Sequence, residues 1–389
     1  MYEVLTLNKI AKCGLDMLDK DIFTVTDASE NPDAVILRSF SMHEMEIPAS
    51  LKAVARAGAG VNNIPIDKMT EKGIPVFNTP GANANAVAEL AVAGLLMASR
   101  KITDGVDWAK TLQGEGANVG KLVEKGKGAF TCPEIKGKTL GVIGLGAIGV
   151  MVANYAAALG MNVIGYDPFL SVDAAWNLSA SVKKATDIKV LAAKCDYITM
   201  HLPLLDSTRG MINEELIDCM ENGVRILNFS RGELVDNAAM KAALEAGKVA
   251  CYVTDFPSEE TLAMPNTVNI PHLGASTPEA EDNCAVMAAN ELADFMCTGN
   301  IKNAVNYPNC EMAMGGKLRV TIAHKNAPDM IASFSAIMAG ANVNIINMIN
   351  KSKGENAYTM MDVDAIPDAL QQELEAIDGV QKVRVIKNI

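Results

Sequence analysis

Residues 139–167 read TLGVIGLGAIGVMVANYAAALGMNVIGYD. An apolar run from Leu140 to Ile143 leads straight into Gly144, Gly146 and Gly149. A helical pattern continues to Leu159, a second apolar run ends at Tyr166, and Asp167 follows. This is G-x-G-x-x-G in the strand–turn–helix–strand setting that dinucleotide binding requires. Gly144 permits the tight turn, Gly146 has no Cβ to obstruct a pyrophosphate, and Gly149 lets the helix approach the strand. The pyrophosphate is then expected on the free N–H groups at the helix N-terminus. A membrane span is the competing reading, because no charged residue lies between Lys138 and Asp167. The two turn points argue against it, since they cut the run into pieces shorter than the roughly 20 residues a bilayer needs. A carboxylate after the second strand accepts the ribose hydroxyls and repels a 2′-phosphate, so Asp167 favours NAD over NADP.

The chain has 389 residues, enough for two or three domains with separate cores. Its net charge of −12 excludes nucleic acid as the main partner, since phosphate backbones demand clustered Lys and Arg. The N-terminus MYEVLTLNKIAK lacks a signal-peptide pattern, so a cytoplasmic protein is expected, with no membrane association. The eight cysteines show no C-x-x-C pair and read as small buried hydrophobes in a reducing compartment. No metal site is expected.

Around the fingerprint the pattern is α/β. The first 80 residues alternate apolar runs (EVLTL, AVILRS, LKAVARAG, IPVFNT) with short helical patterns, which predicts a small parallel sheet with helices on both faces. Residues 84–100 carry apolar positions at helical spacing and predict a mostly buried helix. Further buried strands are predicted at CDYITMHL, VRILNFS, VACYVTDF and TVNIPH. They continue a doubly wound sheet to about residue 275. Residues 318–389 then read strand, helix, strand, strand, helix, strand, a βαββαβ unit. That fold also hosts RNA-binding modules, but this block is too poor in aromatics for that use.

Three chemistry-bearing groups stand just after predicted strand ends, where open α/β sheets place their ligands. Arg231 lies in ILNFSRGELVD, Glu259 and Glu260 in TDFPSEET, and His272 in NIPHLGAST. Together they suit oxidation of a hydroxy acid. The guanidinium would hold a substrate carboxylate. The imidazole would take the hydroxyl proton, and a carboxylate would orient it. Taken singly, each also reads as an ordinary surface or turn residue.

The order GLGAIG, YDP, HLPL, NFSRGELVD, HLGAST resembles the D-2-hydroxyacid dehydrogenase family over residues 1 to about 306. The resemblance implies catalytic roles for Arg231, Glu260 and His272, with Glu259 left as an alternative to Glu260. It implies cofactor contacts at Gly144, Gly146, Ala147, Ile148, Gly149, Asp167, His201, Pro203, Thr208, Phe229, Ser230, Asp255 and Gly274. RSFSMHEM and ARAGAGVNNI resemble substrate-domain motifs of members acting on a phosphorylated 2-hydroxy acid. Substrate contacts then fall on Arg38, Ser39, Arg56, Gly58, Ala59 and Gly60. Phe40 stands where some members carry a second Arg.

The implied architecture is two doubly wound Rossmann-like domains and a C-terminal ferredoxin-like ACT domain. Residues 1–92 with 280–306 would bind substrate, 93–279 would bind NAD, and 318–389 would form the ACT domain. His324, Asn326 and Asn344 match the residues that hold L-serine in serine-inhibited ACT domains, with Asp329 where that loop usually has Gly. The expected reaction is NAD-dependent interconversion of D-3-phosphoglycerate and 3-phosphohydroxypyruvate, at the entry to serine synthesis, in a homodimer or homotetramer. Rival readings are a dehydrogenase of another 2-hydroxy acid and a non-enzymatic NAD-sensing corepressor. The complete Arg231, Glu260 and His272 set speaks against the sensor.

Overall fold

The computed structural model describes residues 1–388 of the chain. They divide into two compact units, residues 1–83 with 278–388 and residues 84–277.

The first unit contains two sheets. Strands β1 (Tyr2–Leu7), β2 (Phe23–Thr26), β3 (Ala34–Leu37), β4 (Ala53–Arg56) and β5 (Val76–Phe77) form a parallel sheet in the order β2-β1-β3-β4-β5. All four residues of β3 are buried, the mark of a strand covered on both faces. One face packs under the helix Pro278–Thr298, with Ala285, Ala288 and Leu292 against Ile36 and Ala55. The short helix Lys12–Leu15 lies so close that a Cβ on Gly14 would stand 2.4 Å from the Ala285 carbonyl carbon. The other face packs on Met42, Leu51, Ile64 and Met69. The connections from β2 to β3 and from β3 to β4 hold no helix, unlike the alternation read from sequence. Pro32 and Pro48 interrupt them.

The second sheet of this unit comprises β13 (Leu318–Lys325), β14 (Ile345–Lys353), β15 (Asn356–Val363) and β16 (Val380–Lys387), antiparallel in the order β14-β15-β13-β16. Helices Met330–Gly340 and Asp368–Glu375 complete a βαββαβ order, and the helix Met330–Gly340 packs Phe334 and Met338 against Val320 and Ile322. The opposite face, with Ala323, Tyr358 and Met360, joins the same core as Val4, Ile36 and Phe295. Residues 318–388 therefore share a core with the first sheet and do not pack as a separate body.

Arg319 and Asp362 fasten that junction. They face each other across β13 and β15, and both are fully buried. Arg319 Nε and Nη2 donate to the Asp362 carboxylate at 2.7 and 3.1 Å. Nη1 donates to the Thr298 and Met312 carbonyls, and Nη2 also to Ala313. All five guanidinium N–H bonds thus have acceptors. Burial pushes the Asp362 carboxyl up, but the hydrogen bonds from Arg319 and from the Gly315 N–H outweigh it and hold it below the usual range.

The second unit is one parallel sheet. Its strands are β6 (Thr139–Ile143), β7 (Asn162–Tyr166), β8 (Lys183–Lys184), β9 (Tyr197–Met200), β10 (Val224–Asn228), β11 (Val249–Thr254) and β12 (Thr267–Asn269). The order β12-β11-β10-β9-β6-β7-β8 reverses direction between β6 and β9, so the crevice at the fingerprint lies at a topological switch point. The helix Ala84–Arg100 packs here, with Ala91 and Leu95 in the core of Val142 and Leu227. Residues 84–92, expected in the first domain, therefore belong to this unit. Gly94 explains the close fit, since a Cβ would stand 2.4 Å from the Phe229 ring. At the other boundary, residues 278 and 279 open the long helix of the first unit.

Asp329 precedes the helix Met330–Gly340 at φ 64°, in the left-handed region, and its side chain caps nothing. An L-residue is strained there and Gly is not. Asp329→Gly should raise stability by about 0.5–1 kcal/mol, read as a higher urea midpoint at unchanged slope.

Candidate active site

The fingerprint has the geometry its glycines imply. Gly144 takes φ +89°, and a Cβ there would stand 2.4 Å from the His201 carbonyl oxygen. A Cβ on Gly149 would stand 1.9 Å from the Gly144 oxygen, so only Gly lets the helix Ala147–Ala158 seat on the turn. At Gly146 a Cβ would meet nothing within 4 Å, which leaves open room beside the helix N-terminus. No side chain caps that end, so its N–H groups, those of Ala147 and Ile148 among them, are free for an anion. Asp167 braces the turn. One carboxylate oxygen accepts the Leu145 N–H at 2.8 Å and the other accepts the Phe169 N–H at 2.8 Å. Each oxygen keeps a lone pair for a further donor such as a ribose hydroxyl.

The remaining groups of this unit stand at successive carboxyl ends of the sheet. After β9 come His201, Pro203 and Thr208. Thr208 is buried, its hydroxyl donating to the Pro203 carbonyl and accepting the Leu205 N–H, both at 2.8 Å. After β10 come Phe229, Ser230 and Arg231. The Ser230 hydroxyl donates to the Met200 carbonyl at 2.7 Å, and its N–H donates to Asn228. Arg231 is exposed, with Nη1 donating to the Ser230 carbonyl at 2.6 Å and, among the described residues, no ion pair on the rest of its fork. After β11 comes Asp255, buried, with Oδ1 lacking any partner. After β12 come exposed His272 and buried Gly274.

His272 packs against Phe256, with ring centroids 4.8 Å apart and the planes tilted by 52°. Burial pushes the Asp255 carboxyl up, opposed by the charges of His272 and Arg231 and by N–H groups including that of Gly274. Asp255, His272 and Arg231 therefore share one electrostatic neighbourhood. Glu260 does not join it by direct contact. Its carboxylate accepts the Asn237 amide at 2.5 Å, and among the described residues no hydrogen bond or ion pair links Glu259 or Glu260 to His272. Both glutamates open the short helix Glu259–Leu262, whose start is fixed by reciprocal bonds between Ser258 and Thr261.

The substrate residues expected from sequence gather within the first unit at the ends of β3 and β4. Arg56 Nε donates to the Arg38 carbonyl at 3.0 Å. The Arg56 guanidinium folds over Gly58, where a Cβ would stand 2.5 Å from Nη1. Asn78 donates to the Ala59 carbonyl at 2.6 Å. Asn8 accepts the Ser39 and Phe40 N–H groups. Arg38 itself pairs with Glu281 at 2.7 Å.

The three residues expected to hold an effector are not joined to one another. His324 is buried, with Nδ1 2.8 Å from the Lys325 carbonyl and Nε2 2.9 Å from the Thr359 hydroxyl. A carbonyl only accepts, so Nδ1 carries the proton, while the Thr359 hydroxyl beside Nε2 donates to the Asn350 side-chain oxygen at 2.9 Å. Asn326 donates to the Gly354 carbonyl at 3.1 Å, and Asn344 is exposed.

Asn228, Asn237, Phe256, Glu281 and Asn8 went unread in the sequence. Only Asn228 left a trace there, as a polar residue closing the apolar run VRILN. The others act through contacts with residues distant in the chain. Among the described residues no group of His, Cys, Asp or Glu is arranged to hold a metal ion.

His201 Nδ1 is sealed from solvent without a partner, while Nε2 lies 3.1 Å from the Thr199 hydroxyl. Burial pushes its pKa down from 6.5 to about 4. Protonation therefore favours the unfolded chain. The stability tied to neutral His201 is complete above about pH 6.5 and is lost as pH falls towards about 4. Melting curves from about pH 7.5 to about pH 4.5 should fall more steeply for the wild type than for His201→Gln.

Residues 92–274 match the family model described as D-isomer specific 2-hydroxyacid dehydrogenase, NAD binding domain. D-3-phosphoglycerate dehydrogenase of Archaeoglobus fulgidus is 37% identical over 289 residues, covering 72% of this chain and 52% of that protein. The chain thus spans about half the length of the curated relatives it matches. An NAD-bound 3-phosphoglycerate dehydrogenase structure from Entamoeba histolytica is 26% identical, with a TM-score of 0.60 over 78% of this chain and 98% of that one. A glyoxylate reductase from Paecilomyes thermophila is also 26% identical, with a TM-score of 0.64 over the same shares. Among the described residues no helix is long and apolar enough to cross a membrane. The chain is thus similar to curated D-3-phosphoglycerate dehydrogenases over 72–75% of its length, and its residues 92–274 match the NAD-binding domain of D-isomer specific 2-hydroxyacid dehydrogenases.

Proposed function

We propose that the protein is an NAD-dependent D-3-phosphoglycerate dehydrogenase, interconverting D-3-phosphoglycerate and 3-phosphohydroxypyruvate. The observation that carries the reading is the grouping of Arg231, Asp255 and His272 at the ends of β10, β11 and β12, in the unit that holds the fingerprint. The residues fit the cofactor. Gly146 leaves room for a pyrophosphate, Asp167 keeps acceptor capacity for ribose, and the unpartnered Asp255 Oδ1 awaits a donor such as an amide. Held by these residues, NAD would supply the hydride acceptor.

The chain's own groups do the rest. His272 takes the hydroxyl proton, and its exposed edge leaves it accessible to do so. The Arg231 fork holds the carboxylate, while its bond to the Ser230 carbonyl fixes its direction. Asp255 places its carboxylate in the same electrostatic neighbourhood as that imidazole. Glu260 supports His272 once its side chain leaves Asn237. In the first unit, Arg38 and Arg56 are assigned the phosphate, with Ser39 and the backbone of Gly58 to Gly60 as further substrate contacts. Residues 318–389 act as an ACT domain that senses a small amino acid. Asn326 and Asn344 supply its hydrogen bonds, while buried His324 holds the loop from within.

His272→Ala should lower kcat by roughly 10²–10⁴-fold with little change in NADH affinity, in an assay with NADH and 3-phosphohydroxypyruvate. Near wild-type turnover would remove His272 from the mechanism.

Glu281→Gln should free Arg38 from its half-exposed ion pair. KM for the phosphorylated substrate should then fall by roughly two- to fivefold at similar kcat, and KM for unphosphorylated hydroxypyruvate should not.

Calorimetry with L-serine should give saturable heat for the wild type and a clearly weaker event for Asn344→Ala. No heat at millimolar serine, or equal binding in both, would refute sensing through this residue.

A further inference from the structure

Two cavities of the first unit flank the side chain of Lys382 on β16. One, of about 330 Å³, is lined by Tyr2, Lys52, Gln371, Glu375, Lys382 and Arg384. The other, of about 280 Å³, is lined by Lys72, Gln381 and Lys382 over an apolar floor. Four cations thus surround these openings in a chain of net charge −12, with Glu375 the carboxylate that lines them. Lys52 pairs with Asp33. Among the described residues no ion pair includes Lys72, Lys382 or Arg384.

Their hydrogen bonds go to uncharged partners. Lys382 Nζ donates to the Leu51 carbonyl at 2.6 Å. Buried Arg384 donates to the Phe295 and Met296 carbonyls at 3.2 and 3.0 Å. Carbonyls satisfy N–H groups but do not neutralise charge. Burial, then the charges of Lys52, Arg384 and Lys72, push the Lys382 ammonium down to about 8. Like charges held together in partial burial repel each other, and a counter-anion relieves that repulsion.

We propose that these cavities form a binding site for a phosphate group, either free or carried on a small monoester. The ammonium groups, the guanidinium edge and the amide nitrogen of Gln381, whose oxygen accepts from Tyr307, offer mainly donors, as a tetrahedral dianion requires. Lys52 and Lys72 flank the first sheet, whereas Lys382 and Arg384 lie on β16. A bound anion therefore ties the C-terminal sheet to the first one and stabilises the unit. The assignment is independent of the catalytic reading, whose phosphate contacts are Arg38 and Arg56.

The test is calorimetry on the full chain at low ionic strength, with inorganic phosphate and with glycerol 3-phosphate, beside thermal melts. The expected result is one saturable event that survives Arg38→Gln and weakens about tenfold in Kd in Lys72→Gln and in Lys382→Gln. The rise in melting temperature should shrink in parallel. Lys72 is exposed, and no side-chain hydrogen bond is formed by it among the described residues, so that variant keeps the fold even if Lys382→Gln does not. Tighter binding of glycerol 3-phosphate identifies a monoester as the ligand, and tighter binding of inorganic phosphate identifies the free ion. Equal affinity in the wild type and both lysine variants overturns the proposal, as does loss of binding in Arg38→Gln alone. Binding that vanishes at about 0.15 M salt regardless of variant overturns it too, as a diffuse ion atmosphere.

Discussion

The approach of the helix Ala147–Ala158 to its own entry turn sets the geometry of the second unit. A Cβ on Gly149 would stand 1.9 Å from the Gly144 oxygen, so the absence of one side chain fixes how deeply the helix sits. That depth brings the helix N-terminus and its free N–H groups to the carboxyl end of β6. Asp167 then locks the turn from β7 by accepting the Leu145 N–H. Because β6 lies where the strand order reverses, the same crevice is bordered by the ends of β9 and β7. The turn therefore builds the cofactor site and orients the sheet around it.

The first unit depends on a different device. Arg319 and Asp362 are fully buried, and every guanidinium N–H has an acceptor, including carbonyls at Thr298, Met312 and Ala313. An ion pair this deep is tolerated only when so completely satisfied, and losing one partner typically costs about 3–5 kcal/mol. The pair fastens β13 and β15 to the segment that leaves the long helix Pro278–Thr298. Ala323, Tyr358 and Met360 then enter the core of the first sheet. Events in residues 318–389 consequently bear on the same packed core that carries Arg38 and Arg56.

The candidate catalytic groups are close but incompletely paired. Among the described residues Arg231 forms no ion pair, Asp255 has an unpartnered oxygen, and Glu260 is held by Asn237 and not by His272. Arg38 is likewise engaged by Glu281. Exposed ion pairs contribute only about 0–1 kcal/mol, so a charged ligand displaces such a partner at little cost. Buried groups such as Ser230 and Thr208, by contrast, are fully bonded and form the rigid frame.

The sequence by itself determined the glycine turn, six of the seven strands around it, the βαββαβ order of residues 318–387 and the places of Arg231 and His272 just after strand ends. These are local matters, because periodicity, turn chemistry and strand ends are written in neighbouring residues. Tertiary structure alone decided that Ala84–Arg100 belongs wholly to the second unit, since the fit of Gly94 on Phe229 joins residues far apart in the chain. It also decided that Glu260 bonds Asn237, that Glu281 covers Arg38, and that Lys52, Lys72, Lys382 and Arg384 converge. Which charge meets which is set by the packing of whole elements, and no local pattern encodes it.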